Sequence, residues 1–212
     1  MTRLRTDAPS MPGTTPRPLA AVPLLGAVLA VAPLGASAGG EVDVQGTRFA
    51  ARHEVQGQAL DLRGAGVLRW RALVCAYAAA LYLPVETSGG DALADVPKRL
   101  EIEYFWPIDA EDFGRAADAL LAGQLSSAEL RALRDRLDDL HARFESVEPG
   151  DRYALTYVPG VGTELAKNGR PLAVITGSDF AEAYFGIWLG DEPLDIRLRD
   201  RLRGGTTQRA RN

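Results

Sequence analysis

The chain has 212 residues, 46% of them hydrophobic and 25% charged, and a formal net charge of -4. That balance fits one ordinary globular domain. It has no Lys/Arg-rich block and no aromatic-basic interleaving, which excludes nucleic acid as an expected partner. The mixed charges read as a solvated surface.

The N-terminus reads as a leader. Arg3, Arg5 and Arg17 supply a basic region, Leu19 to Leu34 is apolar and uncharged, and Ala36-Ser37-Ala38 gives a small-residue cleavage pattern. The competing reading is a membrane anchor. The apolar run is about 16 residues, short of the ~20 that span a bilayer, and Pro23 and Pro33 interrupt it. The expectation is therefore a signal peptide over 1–38, a domain over 39–203 and a flexible tail over 204–212. The mature protein would be periplasmic or secreted, with no stable membrane span after cleavage. Its oligomeric state is not legible. Cys75 is the single cysteine, so an exported form has no internal disulfide. The thiol lies in an apolar run and reads as a small core hydrophobe rather than a reactive group.

Residues 41–63 carry short strand signals separated by glycines: Val42, Val44, Thr47, Phe49, and the alternating Ala59-Leu60-Asp61-Leu62-Arg63. Residues 67–83 are the clearest strand region. One face would carry Leu73, Cys75, Tyr77, Ala79, Leu81 and Leu83, and the other Ala72, Val74, Ala76, Ala78, Ala80 and Tyr82. Apolar on both faces, such a strand is covered on both sides. Its alanines would equally suit a helix.

Leu100, Ile102, Tyr104 and Trp106 alternate with Arg99, Glu101, Glu103 and Phe105, which predicts a strand with one wet face. Asp109 is placed to cap a helix to about residue 123, with Phe113, Ala117, Leu120 and Leu121 inward. Ser126-Ser127-Ala128-Glu129 is a capping box, opening a helix with Leu133, Leu137 and Leu140 on one stripe and Arg134 paired with Asp138. Residues 152–158 alternate as a strand. Residues 163–167 and 172–175 flank Asn168-Gly169, the signature of a type I′ hairpin. Ser178 or Asp179 would cap a helix with Phe180, Tyr184, Ile187 and Trp188 inward, closed by Gly190. Residues 193–203 read as a last short helix. Strands, helices, strands, helices in that order predict an α+β fold with one antiparallel sheet and helices on one face.

No metal constellation is legible, because His53 and His141 are the only histidines and neither lies at ligand spacing. His141 reads as solvated. Gly64-Ala65-Gly66 runs into a strand, so a dinucleotide loop fails its context. No serine sits in a nucleophile elbow. No cofactor is expected. What remains is Arg69 with Tyr77, eight residues on and on the same strand face if the strand is regular. A guanidinium beside an apolar wall suits a carboxylate, and a phenol can donate to it. The alternative is an Arg69 at the surface of a sheet end and a Tyr77 in the core.

Two segments carry a family likeness. Gly64-Ala65-Gly66-Val67-Leu68-Arg69 precedes the run Val74 to Pro84. Gly177-Ser178-Asp179-Phe180-Ala181-Glu182-Ala183-Tyr184-Phe185-Gly186-Ile187-Trp188-Leu189-Gly190 follows the Asn168-Gly169 hairpin. Together, over roughly residues 41–203, they resemble the bacterial branch of the chalcone isomerase-like proteins. The resemblance implies an open-faced β-sandwich, a large antiparallel sheet packed against a layer of helices, and it decides the 67–83 run for strand. That family includes isomerases and non-catalytic lipid binders, and a shared fold does not choose between them.

In the fatty-acid-binding relatives an arginine before the long strand and a tyrosine within it hold the carboxylate; the resemblance assigns those positions to Arg69 and Tyr77. In the isomerases it assigns a tyrosine and an asparagine to the positions of Phe113 and Leu120, which supply no polar group here, although Tyr104 could substitute. The candidate ligand-binding set is thus Arg69, Tyr77, Tyr104 and Phe113, with no catalytic or metal residue. The expected function is an exported, non-catalytic binder of a small amphipathic carboxylate such as a fatty acid. The alternatives are an intramolecular lyase or isomerase on an unknown substrate, and a non-binding scaffold.

Overall fold

The computed structural model describes residues 40–70 and 74–205. The leader assigned to 1–38 and the tail from 206 lie outside the described residues, as do the side chains assigned to Ala72, Leu73 and Val74. The fold is α+β. A curled antiparallel sheet of seven strands runs in sequence order: β3 (Arg52–Val55), β4 (Gln58–Trp70), β5 (Val74–Leu83), β6 (Lys98–Tyr104), β7 (Arg152–Val158), β8 (Gly162–Lys167) and β9 (Arg170–Ile175). Four helices pack on its inner face: α1 (Ala110–Gln124), α2 (Ser127–His141), α3 (Ser178–Leu189) and α4 (Ile196–Leu202). A separate hairpin, β1 (Glu41–Val44) with β2 (Thr47–Ala50), packs on the outer side.

Local chemistry explains the elements. The reciprocal capping box of Ser126 and Glu129 opens α2, and Arg134 pairs with Asp138 at 2.8 Å. Asn168 and Gly169 both take positive φ, 50° and 79°, as a type I′ turn requires. β5 is buried on both sides. Tyr77, Ala79, Leu81 and Leu83 join the main core beneath the helices; Ala78, Ala80 and Tyr82 join an outer cluster with Phe49, Leu60 and Val67. Phe49 is fully buried there, and burying one such side chain contributes about 2–3 kcal/mol to holding the hairpin down. The glycines before β5 make room for a helix. A Cβ on Gly64 would overlap the Arg201 carbonyl, and one on Gly66 would lie 2.9 Å from Arg201 Cδ. α4 therefore lies directly on β4.

The structure corrects several expectations. The run 67–83 is two antiparallel strands, with Leu68 opposite Tyr77. The next pair is Arg69 with Cys75, so Ala76 is an extra residue on β5. The bulge moves Cys75 to the outer cluster and Ala76 to the main core, and Cys75 is only partly buried. The second face of β6 is not wet: Glu101 is 4% exposed, because β3 and the outer hairpin cover it. Arg99 contacts its carboxylate at 2.7 Å, His53 at 3.2 Å and Arg152 at 3.5 Å. His141 is packed rather than solvated, with its side chain 12% exposed. Gly177, with φ of 109°, occupies the cap of α3 in place of Ser178 or Asp179. There the glycine leaves room for Arg136, which forks onto both Asp179 oxygens at 2.7 and 2.6 Å.

Candidate functional site

Between the inner sheet face and the helices lies a cavity of about 230 Å³. Its floor is Tyr77 on β5, Ile102 and Tyr104 on β6, and Tyr153 on β7. Phe113, Ala117 and Leu120 of α1 form one wall, and Tyr184 and Trp188 of α3 another. The period of α1 explains its wall: Phe113, Ala117 and Leu120 recur at spacings of four and three. α3 buries most of its surface, including Phe180, Tyr184, Phe185 and Ile187, so it is held firmly against the sheet.

The aromatic groups form a contiguous set. Tyr104 meets Tyr77, Phe113 and Tyr153 edge to face at centroid distances of 5.8, 5.5 and 6.1 Å, arrangements the ring quadrupoles favour. The Trp188 indole donates to the Tyr77 oxygen at 2.9 Å. The Tyr153 hydroxyl is occupied: it donates to the Glu145 carbonyl and accepts from the Glu145 amide, both at 2.8 Å. Tyr104 and Tyr184 make no side-chain hydrogen bond among the described residues, and burial raises both phenols well above their usual range. Burial likewise raises Tyr77, more than the Trp188 bond lowers it. At neutral pH these groups are hydrogen-bond donors, not bases.

The lining is otherwise apolar. Among the described residues Asp112 is its one charged residue, and that carboxylate accepts from Arg115. Among the described residues no lysine, arginine or histidine lines the cavity. Of the residues expected to bind ligand, Tyr77, Tyr104 and Phe113 line it together. Arg69 is not brought there. It is exposed, and the bulge at Ala76 leaves it paired with Cys75, on the face away from Tyr77. Phe113 and Leu120, the positions assigned to polar groups in the isomerases, are both on the wall. Sequence reasoning missed Asp112 and Tyr153, and took Tyr184 and Trp188 for helix core alone. The aromatic inner stripe of α3 was the available signal.

Two broader depressions lie elsewhere. One is lined by Glu129, Asp179, Glu182, Asp191 and Glu192 beside α3, and the other by Arg63, Gly64, Gly66 and Arg201 beside α4. Both are more polar and more open than the cavity. No helix among the described residues is long and apolar enough to cross a membrane.

Comparison with solved structures finds a fatty-acid binding protein of Arabidopsis thaliana. It has a TM-score of 0.57 and 15% identity, over 75% of this chain and 92% of that one. At that identity the likeness establishes the shared fold. No curated protein matches the sequence. A family model described as chalcone isomerase-like matches residues 41–204. With the curled sheet, the helical layer and that match in agreement, the chain belongs to the chalcone isomerase-like family.

Proposed function

We propose that the protein is a non-catalytic binder of a small amphipathic acyl molecule of the fatty-acid class. The ligand would be held between the inner sheet face and α1 and α3. The observation that carries this reading is the apolar cavity in which Tyr77, Tyr104 and Trp188 gather at one site. Small-molecule sites have this character, apolar walls with a few convergent polar groups. Its volume, about 230 Å³, is below the ~300–1,000 Å³ of drug-sized clefts. At roughly 30 Å³ per heavy group, it suits a chain of about eight carbons. The fatty-acid binding neighbour has the same fold and supports the ligand class.

The isomerase reading finds less support. Phe113 and Leu120 offer no hydrogen bond, Asp112 is engaged by Arg115, and the buried phenols stay protonated. Acid-base chemistry needs a titrating group within reach of its substrate. The leader over 1–38 adds delivery outside the cytoplasm to the proposal, with cleavage after Ala38.

Native mass spectrometry of protein purified from the cell envelope, followed by solvent extraction, tests both parts. The expected result is a mature chain beginning at Gly39 with a bound acyl species. Protein that carries no ligand and fails to bind added medium-chain acyl compounds would leave the scaffold reading.

A further inference from the structure

The head group of the ligand follows from the charges around the cavity, given the binder reading above. We propose that the cavity takes its ligand with an uncharged oxygen head, the carbonyl of an ester, aldehyde or protonated acid, and not as a carboxylate anion. Tyr77 and Tyr104 donate to that oxygen.

The donors are in place. The Trp188 indole N–H donates a hydrogen bond to the Tyr77 oxygen at 2.9 Å, which leaves the Tyr77 O–H free to donate. Tyr104, 5.8 Å away between ring centroids, makes no side-chain hydrogen bond among the described residues. Tyr104 lines the cavity, so its hydroxyl is open to a ligand oxygen there.

The charged groups nearest the cavity among the described residues are mostly acidic, and the arginines beside them are already paired with carboxylates. From α1 the cavity meets Asp112, which is paired with Arg115. Asp118, paired with Arg134 at 3.1 Å, lies close enough to act on Tyr184. From the segment before α4, Asp195 acts on Tyr77. From α2, the His141 ring is 6.1 Å from Tyr184, and burial depresses its protonation. On β7, Tyr153 is bonded to Glu145; burial chiefly raises its phenol, Glu145 and Asp151 add to that and Arg170 opposes it, and Arg170 is itself paired with Glu145 at 2.7 Å. Among the described residues no cation lines the cavity. A carboxylate entering there would lose its hydration and gain no positive partner among the described residues. A neutral carbonyl loses far less and accepts the same two donors.

The test uses the full-length mature protein and tryptophan fluorescence or calorimetric titration. The probes are octanoic acid, methyl octanoate and octanal, each at pH 7 and pH 5. An alkanoic acid ionises near 4.9, about half a unit above a glutamate side chain, so about one molecule in 130 is protonated at pH 7 and nearly half at pH 5. The apparent affinity of octanoic acid should therefore rise on the order of 50-fold between them. The ester and aldehyde should bind tightly at both pH values and so report any effect of pH on the protein itself. Tyr104→Phe, which removes one oxygen and no internal hydrogen bond, should weaken ester and aldehyde about fivefold, one neutral hydrogen bond. It should leave the melting temperature in place.

Octanoic acid that binds at pH 7 as tightly as its ester, or with no gain at pH 5, would overturn the uncharged-head proposal while the binder reading stands. Ester binding indifferent to both Tyr104→Phe and Tyr77→Phe would also overturn it. If none of the three probes saturates, the binder reading falls and this proposal with it.

Discussion

Filling the cavity is the sharpest way to ask whether it is real space. Ala117 is 6% exposed and lies on its lining, one turn from Phe113 on α1. Ala117→Leu adds three carbon groups. At roughly 30 Å³ each they take more than a third of the available 230 Å³. Buried at about 0.8 kcal/mol per group, they contribute about 2.4 kcal/mol; ordering the longer side chain costs about 0.5–1 kcal/mol. The net gain is about 1.5 kcal/mol, which raises the melting temperature by about 3–6 °C for a domain of this size. The same substitution should weaken an eight-carbon ligand at least tenfold, since the ligand and the new side chain compete for one space. Thermal melts and ligand titration of the variant measure the two effects together. A variant destabilised by overpacking, at about 1–3 kcal/mol, that still binds normally would show that the cavity is neither available space nor the site.

Other consequences of the structure can be checked separately. Lys98 is 1% exposed, and burial lowers its pKa to about 8 against the opposing pull of Asp95 and Glu182. Below pH 8 both states hold the proton and the buried charge is a cost; between about 8 and 10.5 only the unfolded chain holds it. Stability should therefore rise with pH across that window, by on the order of 3 kcal/mol, and Lys98→Met should flatten the rise in denaturant titrations. Burial alone would raise the Glu101 carboxyl, yet His53 and Arg99 beside it bring it down to about 2. Its contribution, again on the order of 3 kcal/mol, is present above the unfolded pKa near 4.5 and disappears as pH falls through 2; Glu101→Gln should remove that part of the acid transition. Gly64→Ala would press a methyl into the Arg201 carbonyl and should detach α4, lowering stability by more than the ~1 kcal/mol of an ordinary glycine change; a melt within 2 °C of the parent would contradict the packing described for α4.

Much of the scaffold is legible because it depends on local chemistry. The Ser126-Glu129 box, the Asn168-Gly169 turn and the two-faced apolar run ending at Leu83 each report their own geometry. The site is harder to read because it depends on register. One extra residue at Ala76 changes which side chains share a face, and no local signal in Arg69-to-Tyr77 announces it. The same run therefore predicts Arg69 beside Tyr77, while the pairing puts Leu68 there. Glu101 looks solvated by alternation alone; only the fold-back of β3 and the outer hairpin buries it. Gly64-Ala65-Gly66 is visible as a motif, but its reason, the close approach of α4, lies some 135 residues further along the chain. Tyr184 and Trp188 follow a helical period correctly, yet periodicity cannot distinguish a packed core from the wall of a cavity.

A crystal structure of the protein with methyl octanoate, or with the acyl species extracted from the native protein, tests the central claim most directly. The account predicts continuous density between α1 and α3, its oxygen end within hydrogen-bond distance of the Tyr77 and Tyr104 hydroxyls and its chain along Phe113, Ala117 and Leu120. Density confined to the outer face beside Arg69, or to the acidic depression beside Glu129 and Asp191 with the cavity closed over by its own side chains, would contradict it.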